Sequence, residues 1–162
     1  MISSKMQVQK LQTKLLVQDY IAWRLAKAGH SEWFQANKIN LHENTDNKFC
    51  IAMRHMAFKF EKIYEQKFTS DLEITSFNCK ATFAALIAEL FELIENEKLS
   101  NSFECNWGRV AAIFSFAGAL AVKAYEEEDL RIIYVVIDFQ IDFLNNDRRM
   151  VNWIESQGSW VC

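Results

Sequence analysis

The sequence predicts an all-α fold, a helical bundle in which amphipathic helices wrap a central hydrophobic helix or hairpin. Three observations carry that prediction. Of 162 residues none is proline and only four are glycine, whereas turn-rich β-sandwiches and doubly wound α/β folds use more of both. Hydrophobic residues make up 51% of the chain, thirteen of them Phe, and they recur at helical steps of three and four. One stretch, residues 107–125, is apolar nearly all round, as a helix enclosed by other helices must be. The length suits one domain, residues 1–162, with a substantial core, and no repeat, linker or second domain interrupts the pattern.

Taken in order, residues 4–28 form the first predicted helix. Leu16, Tyr20 and Trp23 share one face, Val17, Ile21 and Leu25 an adjacent one, and Gly29 supplies the stop. Residues 37–47 are polar and read as a connection. The second helix spans residues 48–68, with Phe49, Met53, Met56, Phe60 and Ile63 at steps of four, three, four and three; base rates favour that stripe as core. Its Met and aromatic content also suits a groove that receives another helix. Residues 71–76 make an irregular or short helical turn. The third helix, 79–97, turns Phe83, Leu86, Ile87, Leu90, Phe91 and Ile94 to one side. A polar connection, 95–105, leads into the apolar helix 107–125. Residues 127–145 follow as a helix; their β-branched content leaves a strand as the minority alternative, but their length favours helix. A short helix over 148–157 ends at Gly158.

Composition excludes several function classes. The net charge of −3 offers no basic footprint for nucleic acid. His30, His42 and His55 lack metal-ligand spacing. No phosphate-binding glycine loop or nucleophile elbow occurs. Asp138 and Asp142 lie four apart on one helix face, where a solvated or interhelical role outweighs a catalytic one. The chain therefore reads as a non-enzyme with no metal or cofactor. Cys50, Cys79, Cys105 and Cys162 form no close pair and no secretory signal precedes them, so all four read as reduced thiols in a cytosolic setting. No apolar run reaches the roughly 18 residues of a membrane span; the longest, 110–122, reads as a core helix.

Three features do not follow from folding alone. Asn106 can cap the helix beginning at Trp107, which places Arg109 in the first turn, where the helix dipole disfavours a cation. Either Arg109 pairs with a nearby carboxylate such as Glu104, or it stands beside a groove for a partner's carboxylate, a task suited to a guanidinium because it offers two parallel hydrogen bonds. Gly118, inside the apolar helix beside Ala117 and Ala119, costs about 1 kcal/mol relative to Ala and reads as a close-packing point. Gly108, next to Arg109, leaves room for a foreign backbone.

Residues 106–120, beginning Asn106-Trp107-Gly108-Arg109 and ending Phe116-Ala117-Gly118-Ala119-Leu120, resemble the first homology motif of the B-cell lymphoma-2 family of apoptosis regulators. Residues 153–160, Trp153-Ile154-Glu155-Ser156-Gln157-Gly158-Ser159-Trp160, are similar to the second. Residues 16–25 resemble the fourth motif, residues 60–68 the end of the third, and Glu89-Leu90-Phe91 the groove-facing end of the family's fourth helix. The resemblance thus covers nearly the whole chain and implies the family fold, with a surface groove that receives the third-motif helix of pro-apoptotic partners.

On that resemblance, Arg109 receives the partner's aspartate, and Asn106 and Gly108 shape the same end of the groove. Phe60, Tyr64, Phe68, Leu86, Leu90, Ala112 and Phe116 form its walls, and Glu89 meets a polar or basic position at the rim. Killer-type third motifs carry an aspartate where this chain has Phe58 after Ala57, which argues for a pro-survival member. The implied partners are pro-apoptotic family members and killer-motif-only proteins. The implied location is the cytosol and the cytoplasmic face of the mitochondrial outer membrane or endoplasmic reticulum, with membrane attachment through a tail absent from this sequence. Two alternatives stand beside this reading: a pore-forming effector of the same fold, and a helical scaffold that dimerises.

Overall fold

A computed structural model describes residues 4–30, 32, 48–65, 88, 107–158 and 160. Among them are five helices, α1 (Ser4–Lys27), α2 (Lys48–Ile63), α3 (Trp107–Glu126), α4 (Leu130–Asn146) and α5 (Arg148–Ser156), and no strand. The expected helix at 79–97, the second helix beyond residue 65 and the connections at 37–47, 71–76 and 95–105 lie outside the described residues, apart from helical Ala88.

α3 occupies the centre and packs on α1, α2 and α4. Every residue from Arg109 to Gly118 is buried. Its small side chains, Ala111, Ala112, Ala117, Ala121 and Ala124, let neighbouring axes approach, because interaxial distance is set by the residues at the contact. Gly118 is the closest such point. A Cβ there would stand 2.7 Å from Cε1 of Tyr20 and 3.2 Å from Cγ of Arg24. The glycine that weakens α3 locally is what lets the Tyr20 ring lie against its backbone. α3 is also, at 20 residues, long and apolar enough to cross a membrane by length and composition, although 72% of its most apolar window is buried inside the protein. The apolar run within it that no charge interrupts is the expected 110–122, bounded by Arg109 and Lys123, and its burial fits a core helix.

The ends of the helices follow local chemistry. Gly29 adopts φ +92, and the amides of Gly29 and His30 return to the carbonyls of Ala26 and Leu25, the double bond pattern that closes a helix on a left-handed residue. Glu128 does the same after α3 with φ 61, its amide and that of Asp129 donating to Tyr125 and Ala124. That turn moves the start of α4 from the expected residue 127 to Leu130, and the strand alternative falls away. Asp147 ends α4 and begins α5: its amide donates to Phe143 and its carboxylate accepts from the amide of Met150 at 3.1 Å, an N-cap that satisfies a helix-end donor. Asp142, half-buried, accepts from Asn146 at 2.9 Å, while Asp138 is exposed.

The register of α2 differs from the expected one. Its buried edge is Cys50, Met53, Ala57 and Glu61. Of the predicted stripe, Met53 is core, Phe49 and Phe60 are half-buried against it, and Met56 and Ile63 are exposed, at 39% and 66%. Two ion pairs to α1 explain the rotation. Arg54 grips the buried Asp19 through both guanidinium arms, Nε donating to Oδ2 at 3.0 Å. Arg24 Nε donates to Glu61 Oε2 at 2.8 Å. Each helix gives one arginine and receives one, so the pairs turn a charged edge of α2 inward.

Candidate binding site

The corner at the start of α3 is built from tryptophans. Trp107 meets Trp153 edge-on at 4.8 Å between ring centroids and Trp160 at 5.8 Å. Trp160 in turn lies edge-on to Phe114 at 6.3 Å, and Phe49 of α2 reaches Trp107 at 6.3 Å. Edge-to-face arrangements at these separations are favourable beyond the area they bury. Trp160 is 1% exposed, and its indole N–H donates to Thr13 Oγ1 at 2.7 Å, which itself donates to the carbonyl of Gln9. The second homology stretch and α1 thereby clamp the start of α3, two residues before Arg109.

Arg109 is 4% exposed. Around it, Gly108 is exposed and Trp107 half-buried. Ala112 and Phe116, at 0% and 5% exposure, follow Arg109 at steps of three and four and so share its stripe along α3. Phe60 near the end of α2 and Tyr64 just after it are half-buried and stack with centroids 4.5 Å apart. α2 and α3 pack together. Asn106, Phe68, Leu86, Glu89 and Leu90, together with the alternative Arg109 partner Glu104, lie outside the described residues.

Phe58 occupies a position with a distinct role. Its ring packs edge-on against Trp23 of α1 at 5.8 Å and has Arg24, Lys27 and Lys62 within 5.2, 4.9 and 5.2 Å of its centroid. Cations over a ring face are attracted by its quadrupole. At this position α2 presents an aromatic ring turned toward α1. Sequence reasoning missed both this cation-lined ring and the ion pairs beside it, since nothing local to residues 54–61 announces a partner on a helix 35 or 37 residues away.

Burial governs titration here. It raises the Glu61 carboxyl above its ordinary range, with Arg24 acting in the opposite sense. Burial likewise pushes the Cys50 thiol up to about 12, aided by Asp19, which keeps the sulfur protonated and unreactive. The Tyr20 hydroxyl, raised by burial and then by Glu61, stays neutral. Among the described residues no group of three or more His, Cys, Asp or Glu could hold a metal ion.

A family model described as apoptosis regulator proteins, Bcl-2 family, matches residues 53–160. The chain is 27% identical over 113 residues to the apoptosis regulator Bcl-2 of Gallus gallus, covering 68% of this chain and 43% of that protein. It is 30% identical over 112 residues to Bcl-2-like protein 1 of Rattus norvegicus and of Homo sapiens, covering 67% of this chain and 43% of each. The matched region thus spans less than half the length of these relatives. The family match takes in the start of α3, its tryptophan clamp and the inward edge of α2 from Met53 onward.

Proposed function

The chain belongs to the Bcl-2 family of apoptosis regulator proteins, and from that premise we propose that it is a pro-survival member that sequesters the third-motif helix of pro-apoptotic partners in a groove beside α2 and α3. The observation that carries the proposal is the stripe Arg109, Ala112 and Phe116, which puts a recessed guanidinium in line with apolar positions at the helical steps a partner helix would use. A cation in a low-dielectric recess binds a carboxylate more strongly than one in water. Phe60 near the end of α2 and Tyr64 just beyond it supply an aromatic wall, and the exposed Gly108 stands beside Arg109. In this reading the residues outside the described set, Asn106, Phe68, Leu86, Glu89 and Leu90, complete the groove, and no cofactor or catalytic step is involved. Capture of the partner would prevent membrane permeabilisation at the mitochondrial surface.

Arg109→Ala weakens binding of a killer-motif peptide by about 1.5–3 kcal/mol, the range for hydrogen bonds to charged groups. Calorimetry with a peptide that binds the wild type reads this directly. Equal affinity for both proteins removes Arg109 from the role.

A pore-forming effector is the second reading, favoured by one observation, the length and apolarity of α3. Against it stands Phe58, bound to α1 where an effector would offer an acid to another family member. Dye release from liposomes separates the two readings. The pro-survival assignment expects peptide binding without leakage; spontaneous or peptide-triggered leakage favours the effector.

A further inference from the structure

We propose that the outward face of the first half of α1 docks on an anionic lipid surface. The surface involves none of the residues assigned to the groove, so the inference stands apart from that function.

Three large apolar side chains at steps of three and four, Val8, Leu11 and Leu15, are 53%, 59% and 45% exposed. On a helix of 3.6 residues per turn they form one stripe. It lies opposite the buried side of the same turns, Gln9, Thr13 and Leu16. Lys14 runs along one edge of the stripe and Lys5 along the other, both exposed, while the half-buried Lys10 lies further round the helix from Lys14. The first 18 residues of the sequence hold these three lysines and no acid, although the whole chain carries −3. The next acid along the chain, Asp19, is turned inward onto Arg54, and on the Lys5 edge Glu155 of α5 lines a shallow recess with Lys5, Met6 and Gln9. The exposed apolar side chains of α4, Leu130 and Tyr134, lack this setting, because they share their surface with Asp129 and Asp138.

An apolar stripe edged by lysines is the pattern of a helix lying in a membrane interface. The apolar side enters the boundary between headgroups and chains, while the lysine stems reach up to anionic headgroups. The shape selects a bilayer over a protein helix. A single helix presents a convex ridge, which suits a yielding planar surface, whereas helix capture needs a groove with two walls.

Co-sedimentation with vesicles tests the proposal, comparing pure phosphatidylcholine with vesicles containing about 30% phosphatidylserine, since anionic headgroups attract basic segments. The wild type is expected on the anionic vesicles and not on the neutral ones, with release at about 0.5 M salt, where surface charge is screened. Leu11→Ser/Leu15→Ser is expected to lower the partition coefficient about tenfold by removing apolar area from the contact. Lys5→Gln/Lys14→Gln, which leaves the stripe intact, is expected to lower it more than tenfold, each lysine near such a surface contributing about fivefold. Because all four side chains point outward, both variants should keep the wild-type thermal midpoint, and Arg109→Ala should sediment like the wild type. Equal partition onto neutral and anionic vesicles, no partition onto either, or wild-type partition by both double variants overturns the proposal.

Discussion

Gly118 shows how one missing methyl group decides the contact between two helices. The position where its Cβ would stand is 2.7 Å from the Tyr20 ring, and that ring is held by Phe114 at 6.0 Å and Trp23 at 5.8 Å, so it has nowhere to retreat. Gly118→Ala should therefore destabilise the protein by about 1–3 kcal/mol, the usual result of overpacking a filled core, despite the better helix propensity of alanine. Urea denaturation measures it; an unchanged or higher midpoint would mean that Tyr20 yields. The need for a small residue here was readable in the sequence, because a glycine inside an apolar helix demands a packing reason. Its partner was not readable, since Tyr20 and Gly118 are far apart in the chain. Arg109 divides in the same way. Its unfavourable place in a helix's first turn marked it as unusual, but nothing in the neighbouring sequence announced that it is only 4% exposed.

At the scale of the element, the pairing of α1 with α2 rests on crossed ion pairs over a small apolar contact centred on Ala57, which is 0% exposed. Breaking one partner of such a pair leaves a desolvated charge, so both pairs act more as register devices than as sources of net stability. Glu61 gives a pH signature. Its folded-state pKa is raised, so the folded protein binds a proton more readily than the unfolded chain, and stability gains as pH falls from neutrality toward the ordinary glutamate range. Glu61→Gln removes the titration. The melting temperature of the wild type relative to this variant should therefore rise between about pH 7 and pH 5; a flat or falling difference would show that Arg24, not burial, dominates. This interface is also where periodicity misled. The stripe from Phe49 to Ile63 matched a helical template well, and hydropathy counts a glutamate as outward. The register was set instead by where Arg24 and Asp19 stood on another helix. By contrast, helix ends fixed by local backbone chemistry, at Gly29 and Gly158, were legible directly.

Across the whole molecule, the bond between Trp160 and Thr13 closes the fold over 147 positions of sequence. It joins the second homology stretch to α1 behind the start of α3. Trp160→Phe keeps most of the ring contacts and removes the donor; the expected loss is about 1–3 kcal/mol, with the Thr13 hydroxyl left buried beside an apolar ring. Chemical denaturation that leaves the midpoint unmoved would assign the closure to packing alone. The all-helical class and the central position of α3 followed from composition and periodicity, because a helix apolar on every side can be stable in water only when enclosed. The arrangement of helices around it did not follow, because faces of similar hydrophobicity are sorted only by specific long-range contacts such as this one.

The cluster of Trp107, Trp153 and Trp160 has an optical consequence. Three indoles within van der Waals or near-contact range, one of them half-buried and two residues from Arg109, exchange excitation energy and share quenching. A helix settling beside Arg109 would change the polarity around Trp107 first, so the intrinsic emission of the unlabelled protein becomes a built-in gauge of occupancy at that corner.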